Sequence, residues 1–194
     1  MRAPAIAPKE DRINVKISGH HAPCDHWREG QSVIIIDSGP SSEIGNPDLG
    51  GLSDIWEDAA FGPLMPSAHK DLGTERPVLG PRKGNFQVRW FVIPPLPEGI
   101  PKPQLDASMR ERFATFDGAG HIIDQSRHPA MHETHSIDII CLLQGEASLI
   151  LEGGETRLRP GNVVIQRGTN HAWNAIGGPA LFLAVLIDRD LRHK

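Results

Sequence analysis

The sequence predicts an all-β domain, built as an antiparallel sandwich or a closed barrel. Three observations predict it. Short apolar runs recur through the second half of the chain, each bounded by glycine or proline. Within those runs apolar and polar residues alternate, which is the period of a half-buried strand. The chain also carries 17 prolines and 20 glycines, which leaves little room for helices.

Residues 1–30 are polar and irregular and read as an N-terminal arm. The rest, 31–194, reads as one domain with a core barrel over about 84–188, since 194 residues suit a single core. Ser32 to Asp37, "SVIIID", is β-branched between Gly30 and Gly39 and reads as a strand. "GLSDIWEDA" reads as a second, with Leu52, Ile55 and Trp56 partly buried. Residues 61–84 carry four prolines and four glycines and read as a long loop of the kind that serves as a lid. "NFQVRWFVIPP" is a strand with Phe86, Val88, Trp90 and Val92 on one face and Gln87, Arg89 and Phe91 on the other. Leu105, Met109 and Phe113, spaced by four, predict one short helix over 104–116, with Arg110 to Arg112 on its solvated face. Six strands follow, at about 136–143, 146–152, 155–159, 162–166, 170–175 and 180–187. Gly145, Gly153-Gly154, Pro160-Gly161, Gly168 and Gly177-Gly178-Pro179 mark the turns between them. Closing such a set of strands removes exposed sheet edges.

The net charge of −4, with no basic block, argues against a nucleic-acid partner. No run of 18 apolar residues is present, so no membrane partner is expected. The N-terminus lacks the long apolar segment of a signal peptide. Cys24 and Cys141 are the two cysteines, and Cys141 lies in an apolar run as a small hydrophobe. A disulfide framework is not expected, and a cytoplasmic location fits.

The segment "MHETHSIDIICLLQGEASLILEGGETRLRPGNVVIQRGTNHAWNAIG" resembles the cupin superfamily. That family has a first motif G-x5-H-x-H-x3/4-E-x6-G and a second motif G-x5-P-x-G-x2-H-x3-N. Gly145 closes the first motif here, and Asp138, seven residues earlier, stands where the family has glutamate. His132 falls on the first histidine position and Thr134 on the second. In the second motif Gly161, Gly168 and His171 match. Arg167 replaces the proline, the spacing is one residue short, and Ala175 stands at the asparagine position beside Asn174. "SVIIIDSG" and "GLSDIWEDA" look like the leading segment of a cupin subfamily with a "QRGTNHAW" second motif. The resemblance implies a double-stranded β-helix, or jelly-roll, barrel. It also implies a homodimer, because cupins commonly pair sheets or exchange N-terminal strands.

His132, Thr134, Ser136 and Asp138 share strand parity and project to one face, while His135 has the opposite parity. His132, Asp138 and His171 would offer a divalent metal two imidazoles and one carboxylate. That set leaves coordination positions open and suits Fe(II) first, with Zn or Mn also possible. Arg89 is a candidate carboxylate clamp or a structural ion pair. Thr134 and Trp173 are candidates for orienting substrate, and in a metal-free site His135, Glu133 and Asp138 are candidates for proton transfer. His20, His21, Cys24 and His26 form a lesser candidate for zinc, with no matching second pair. Two functions follow. One is a metal-dependent enzyme acting on a small oxygenated molecule such as an aromatic or keto acid, by O2 chemistry or as a lyase or isomerase. The other is a metal-free cupin that binds a small ligand or works through acid–base groups alone.

Overall fold

The structure is a computed structural model that describes residues 14–18, 33–46, 48–62, 71–73 and 75–190, with the backbone alone for 14–18 and 33–38. The His20, His21, Cys24 and His26 cluster and much of the proline-rich 61–84 segment lie outside the described residues.

Among the described residues the strands form three antiparallel sheets. β1 (Asn14–Ser18) pairs with β2 (Val33–Ser38) as a separate hairpin. This corrects the reading of residues 1–30 as wholly irregular. β3 (Ser42–Asn46), β4 (Gly50–Ala59), β5 (Asn85–Ile93), β6 (Ser136–Gln144), β9 (Val163–Arg167) and β11 (Ala180–Asp188) form a six-stranded sheet in the order β3-β4-β5-β11-β6-β9. β7 (Ala147–Leu151), β8 (Gly154–Leu158) and β10 (His171–Ala175) form a three-stranded sheet in the order β10-β7-β8. The two larger sheets pack inner face to inner face around Leu142, Ala147, Leu149, Trp173, Phe182 and Ala184, as a jelly-roll requires.

The turns predicted from glycine hold for a physical reason at Gly145. Its φ is 82°, and a Cβ there would meet the Pro179 carbonyl oxygen at 2.5 Å. The helix, α1, spans Lys102–Ala114 and so starts two residues before the predicted 104. Pro101 is its N-cap residue, and Pro103 sits in the first turn, where the missing N–H costs nothing. Leu105, Met109 and Phe113 face inward as the spacing predicts, and Phe113 is buried with Leu79, Phe116 and Ile122.

β5 turns its polar face inward. Gln87 and Arg89 are 1% and 3% exposed. Their partners come from β4, where a bulge at Ile55 breaks the pairing between Asp54↔Arg89 and Trp56↔Val88. Residues three apart on a regular strand point to opposite faces; the bulge puts Asp54 and Glu57 on the same, inner face. Asp54 accepts from Arg89 Nε at 2.8 Å and from Gln87 Nε2 at 2.9 Å. Glu57 accepts from Arg82 Nε at 3.0 Å and Asn85 Nδ2 at 2.8 Å. Each buried carboxylate is thereby held by donors at its own level of the barrel.

Candidate functional site

Between the sheets and beneath α1 lies a cavity of about 350 Å³. Its wall is mostly apolar, with Phe91, Phe113, Trp173 and the Pro94–Pro97 segment prominent, and a few polar side chains converge on it. That composition is typical of small-molecule sites.

His132 and His171 meet on this wall. Their backbones exchange two hydrogen bonds, each of 2.9 Å, in an isolated antiparallel bridge. His132 lies just ahead of β6 and His171 opens β10, so the bridge fixes two residues 39 apart in sequence side by side. The ring centroids are 4.4 Å apart. The edge of one ring is set against Phe113 at 4.9 Å and that of the other against Trp173 at 5.6 Å.

The tautomers follow from the partners. His132 Nδ1 lies 2.9 Å from the Ala130 carbonyl oxygen, and His171 Nδ1 lies 2.9 Å from that of Thr169. A carbonyl oxygen only accepts, so each Nδ1 carries the hydrogen and each Nε2 keeps a lone pair. Burial lowers the pKa of His132 to about 3, helped by the neighbouring His171, and lowers that of His171 to about 4. Both rings are therefore neutral at neutral pH.

Thr134 and Asp138 also line the cavity, 4% and 2% exposed. Thr134 Oγ1 donates to Asp138 Oδ2 at 3.3 Å, and Oδ1 has no hydrogen-bond partner. Burial raises the pKa of Asp138 against the pull of the Thr134 hydroxyl that donates to it. Trp173 belongs both to the core between the sheets and to the cavity wall.

Two nominated residues stand elsewhere. His135 is exposed and faces His121, with ring centroids 6.2 Å apart, outside the cavity lining. Arg89 touches the cavity, but its guanidinium is committed to the buried Asp54 and to the Leu79 and Val78 carbonyls. It makes the structural ion pair, because the bulge on β4 supplies a carboxylate opposite it.

The family's metal can be tested against these donors. The two imidazoles suit a metal, since each offers a free Nε2 with its Nδ1–H anchored. The carboxylate does not join them. Among the described residues no group of three or more His, Cys, Asp and Glu side chains comes together to hold a metal ion. The predicted three-residue set of His132, Asp138 and His171 therefore does not close. Threonine replaces one imidazole, and the short aspartate side chain stays with that threonine.

The cavity also gathers two residues that strand spacing did not single out. Ala130 N donates to His128 Nδ1 at 3.2 Å, so the neutral ring of His128 carries its hydrogen on Nε2. That Nε2 is buried without a partner, and burial lowers the pKa of the ring to about 4. Arg112, expected on the solvated face of α1, also lines the cavity. No sequence signal marked either residue, since neither belongs to a strand alternation or a ligand spacing.

No protein-family model matches the chain. The phomopsin biosynthesis cluster protein C′ of Diaporthe leptostromiformis is 54% identical over 44 residues, 22% of this chain and 23% of that protein. The cupin-domain-containing oxidoreductase virC of Hypocrea virens is 40% identical over 63 residues, 30% of this chain and 32% of that protein. The aligned segments thus span between about a fifth and a third of these curated relatives. A solved structure of a Cupin 2 conserved barrel domain protein from Salinispora arenicola is 21% identical, with a TM-score of 0.32 over 53% of this chain and 63% of that one. Over the shared segment the chain is similar to cupin-domain proteins, and its own strands form the paired antiparallel sheets of a jelly-roll barrel.

Proposed function

We propose that this protein is an enzyme that moves a proton on a small, largely apolar organic acid, using its own side chains and no metal held by three protein ligands. The observation that carries this reading is the histidine pair. Two neutral imidazoles line the cavity with their lone pairs uncommitted, and no third donor gathers with them. The oxidoreductase name of the Hypocrea virens relative supports an enzyme over a passive binder.

The chemistry follows from the pKa directions. An imidazole whose pKa is about 3 or 4 is free base at neutral pH but binds a proton weakly. Its neighbour 4.4 Å away opposes a positive charge further. The pair therefore takes a proton from an acidic C–H or O–H of the ligand only transiently and passes it on. Asp138, whose pKa burial raises, stands beside Thr134 on the same wall, where it can pass a proton to a second ligand atom. One proton leaves the ligand and one returns, so the ligand is isomerised without a change of oxidation state. Trp173 and Phe113 exclude water and hold the apolar body.

Phenylpyruvate in D2O, followed by NMR at its benzylic CH2, tests this directly. Exchange above the uncatalysed rate should survive chelator treatment of the enzyme and fall at least 100-fold in His132→Gln and His171→Gln. Near-stoichiometric Fe, Mn or Zn in the purified protein, lost together with activity in His171→Ala, would overturn the metal-free reading.

A further inference from the structure

We infer that Arg112 is the residue that receives the carboxylate of the ligand at the mouth of the cavity, so that the site selects organic anions over their neutral analogues. This deepens the preceding reading and rests on the same cavity.

Several cations of the described residues are held by carboxylates. Arg82 pairs with Glu57, Arg89 with Asp54, Lys102 with Asp106 and Arg157 with Glu146. Arg112 makes no ion pair, and its guanidinium has no hydrogen-bond partner among the described residues, although it lines a cavity. Its surroundings are apolar. Pro94 and Met109 line the same wall, and although the residue as a whole is exposed, partial desolvation of its guanidinium lowers its pKa from the ordinary arginine value. A planar fork of donors in such a place is matched by a carboxylate, which accepts two parallel hydrogen bonds.

The fold makes room for this fork. A Cβ at position 50 would lie 3.0 Å from Pro94 Cδ and 3.3 Å from Arg112 Nη2, so Gly50 leaves the space that Arg112 occupies. At another point of the wall His128, 5% exposed, holds an Nε2–H with no partner. Such a buried orphan donor is costly unless a ligand acceptor meets it. The cavity therefore offers a cation at the mouth, a donor at His128, two acceptors at the His132 and His171 Nε2 atoms, and an apolar middle. An aromatic or alkyl body with a terminal carboxylate and a second oxygen function fits that sequence of groups.

The test compares 3-phenylpropionate with 3-phenylpropanamide by isothermal titration calorimetry on the full chain. The acid should bind wild type about ten-fold or more tightly than the amide. Arg112→Gln should abolish this preference while leaving the affinity for the amide within two-fold, and Arg112→Lys should keep part of it. Arg112 is an exposed helix residue, so neither variant threatens folding. Equal binding of acid and amide to wild type, a preference that survives Arg112→Gln, or no binding of either probe would each overturn the assignment. A preference that disappears in His171→Ala with loss of a bound metal, but not in Arg112→Gln, would place the carboxylate on that metal instead. The finding of a metal by itself would sink the metal-free chemistry and leave the Arg112 contrast standing.

Discussion

His132 and His171 show one cause with two effects. Burial costs each ring its charge, and the carbonyls of Ala130 and Thr169 decide which nitrogen stays bare. Their pH dependence has a definite sign. Each folded pKa, about 3 or 4, lies below the ordinary 6.5, so the unfolded chain binds more protons between those values. Stability from this source is fully present above pH 6.5 and is lost as pH falls through 4 toward 3. Urea midpoints measured from pH 7 to pH 4 should fall less steeply in a His132→Gln/His171→Gln double variant than in wild type. Exchange activity should likewise drop as pH falls through about 4, where the lone pairs are protonated. Arg89 presents a different residue-scale case. Arg89→Ala would strand the buried Asp54 carboxylate and two carbonyls, for a loss on the order of 3–5 kcal/mol. Replacing the pair together, as Asp54→Leu/Arg89→Met, should cost less than Arg89→Ala alone when both are read by urea denaturation.

At the scale of elements, the bulge in β4 and the roof formed by α1 shape the site more than any single strand. The bulge turns Asp54 inward toward Arg89 and so keeps that guanidinium out of ligand recognition. The helix lays Phe113 over the histidine pair and brings Arg112 to the mouth. Phe113→Ala should therefore cost about 3–5 kcal/mol by chemical denaturation and also weaken phenylpropionate binding, because one ring serves both packing and the cavity wall. Gly145→Ala should destabilise by roughly 2 kcal/mol or more without touching the site, since its Cβ would strike the Pro179 oxygen in a left-handed turn.

For the whole molecule, the two sheets act as one unit. Phe182 is wholly buried between them and stacks on Phe91 at 4.7 Å, so Phe182→Ala should cost about 3–5 kcal/mol in a single cooperative transition followed by far-UV and tryptophan signals together. β6 was legible because its burial alternates and forces apolar residues to every second position. β7 and β10 are buried almost throughout and were legible from their short apolar runs and the glycine turns that bound them. β3, "SEIGN", left no such trace; it is a short, largely polar edge strand whose one strand neighbour is β4, with Ile44 packed against the Leu79–Phe113 cluster. Parity likewise foretold that Asp138 faces inward and His135 outward. Which inward groups meet is another matter, because it depends on distances between strands remote in sequence. The pairing of His132 with His171, the withdrawal of Asp138 to Thr134, and the arrival of His128 and Arg112 at the cavity all follow from where the sheets and the helix close on one another. Local alternation is written residue by residue, whereas the chemistry of a cavity is a property of the gap that several segments enclose.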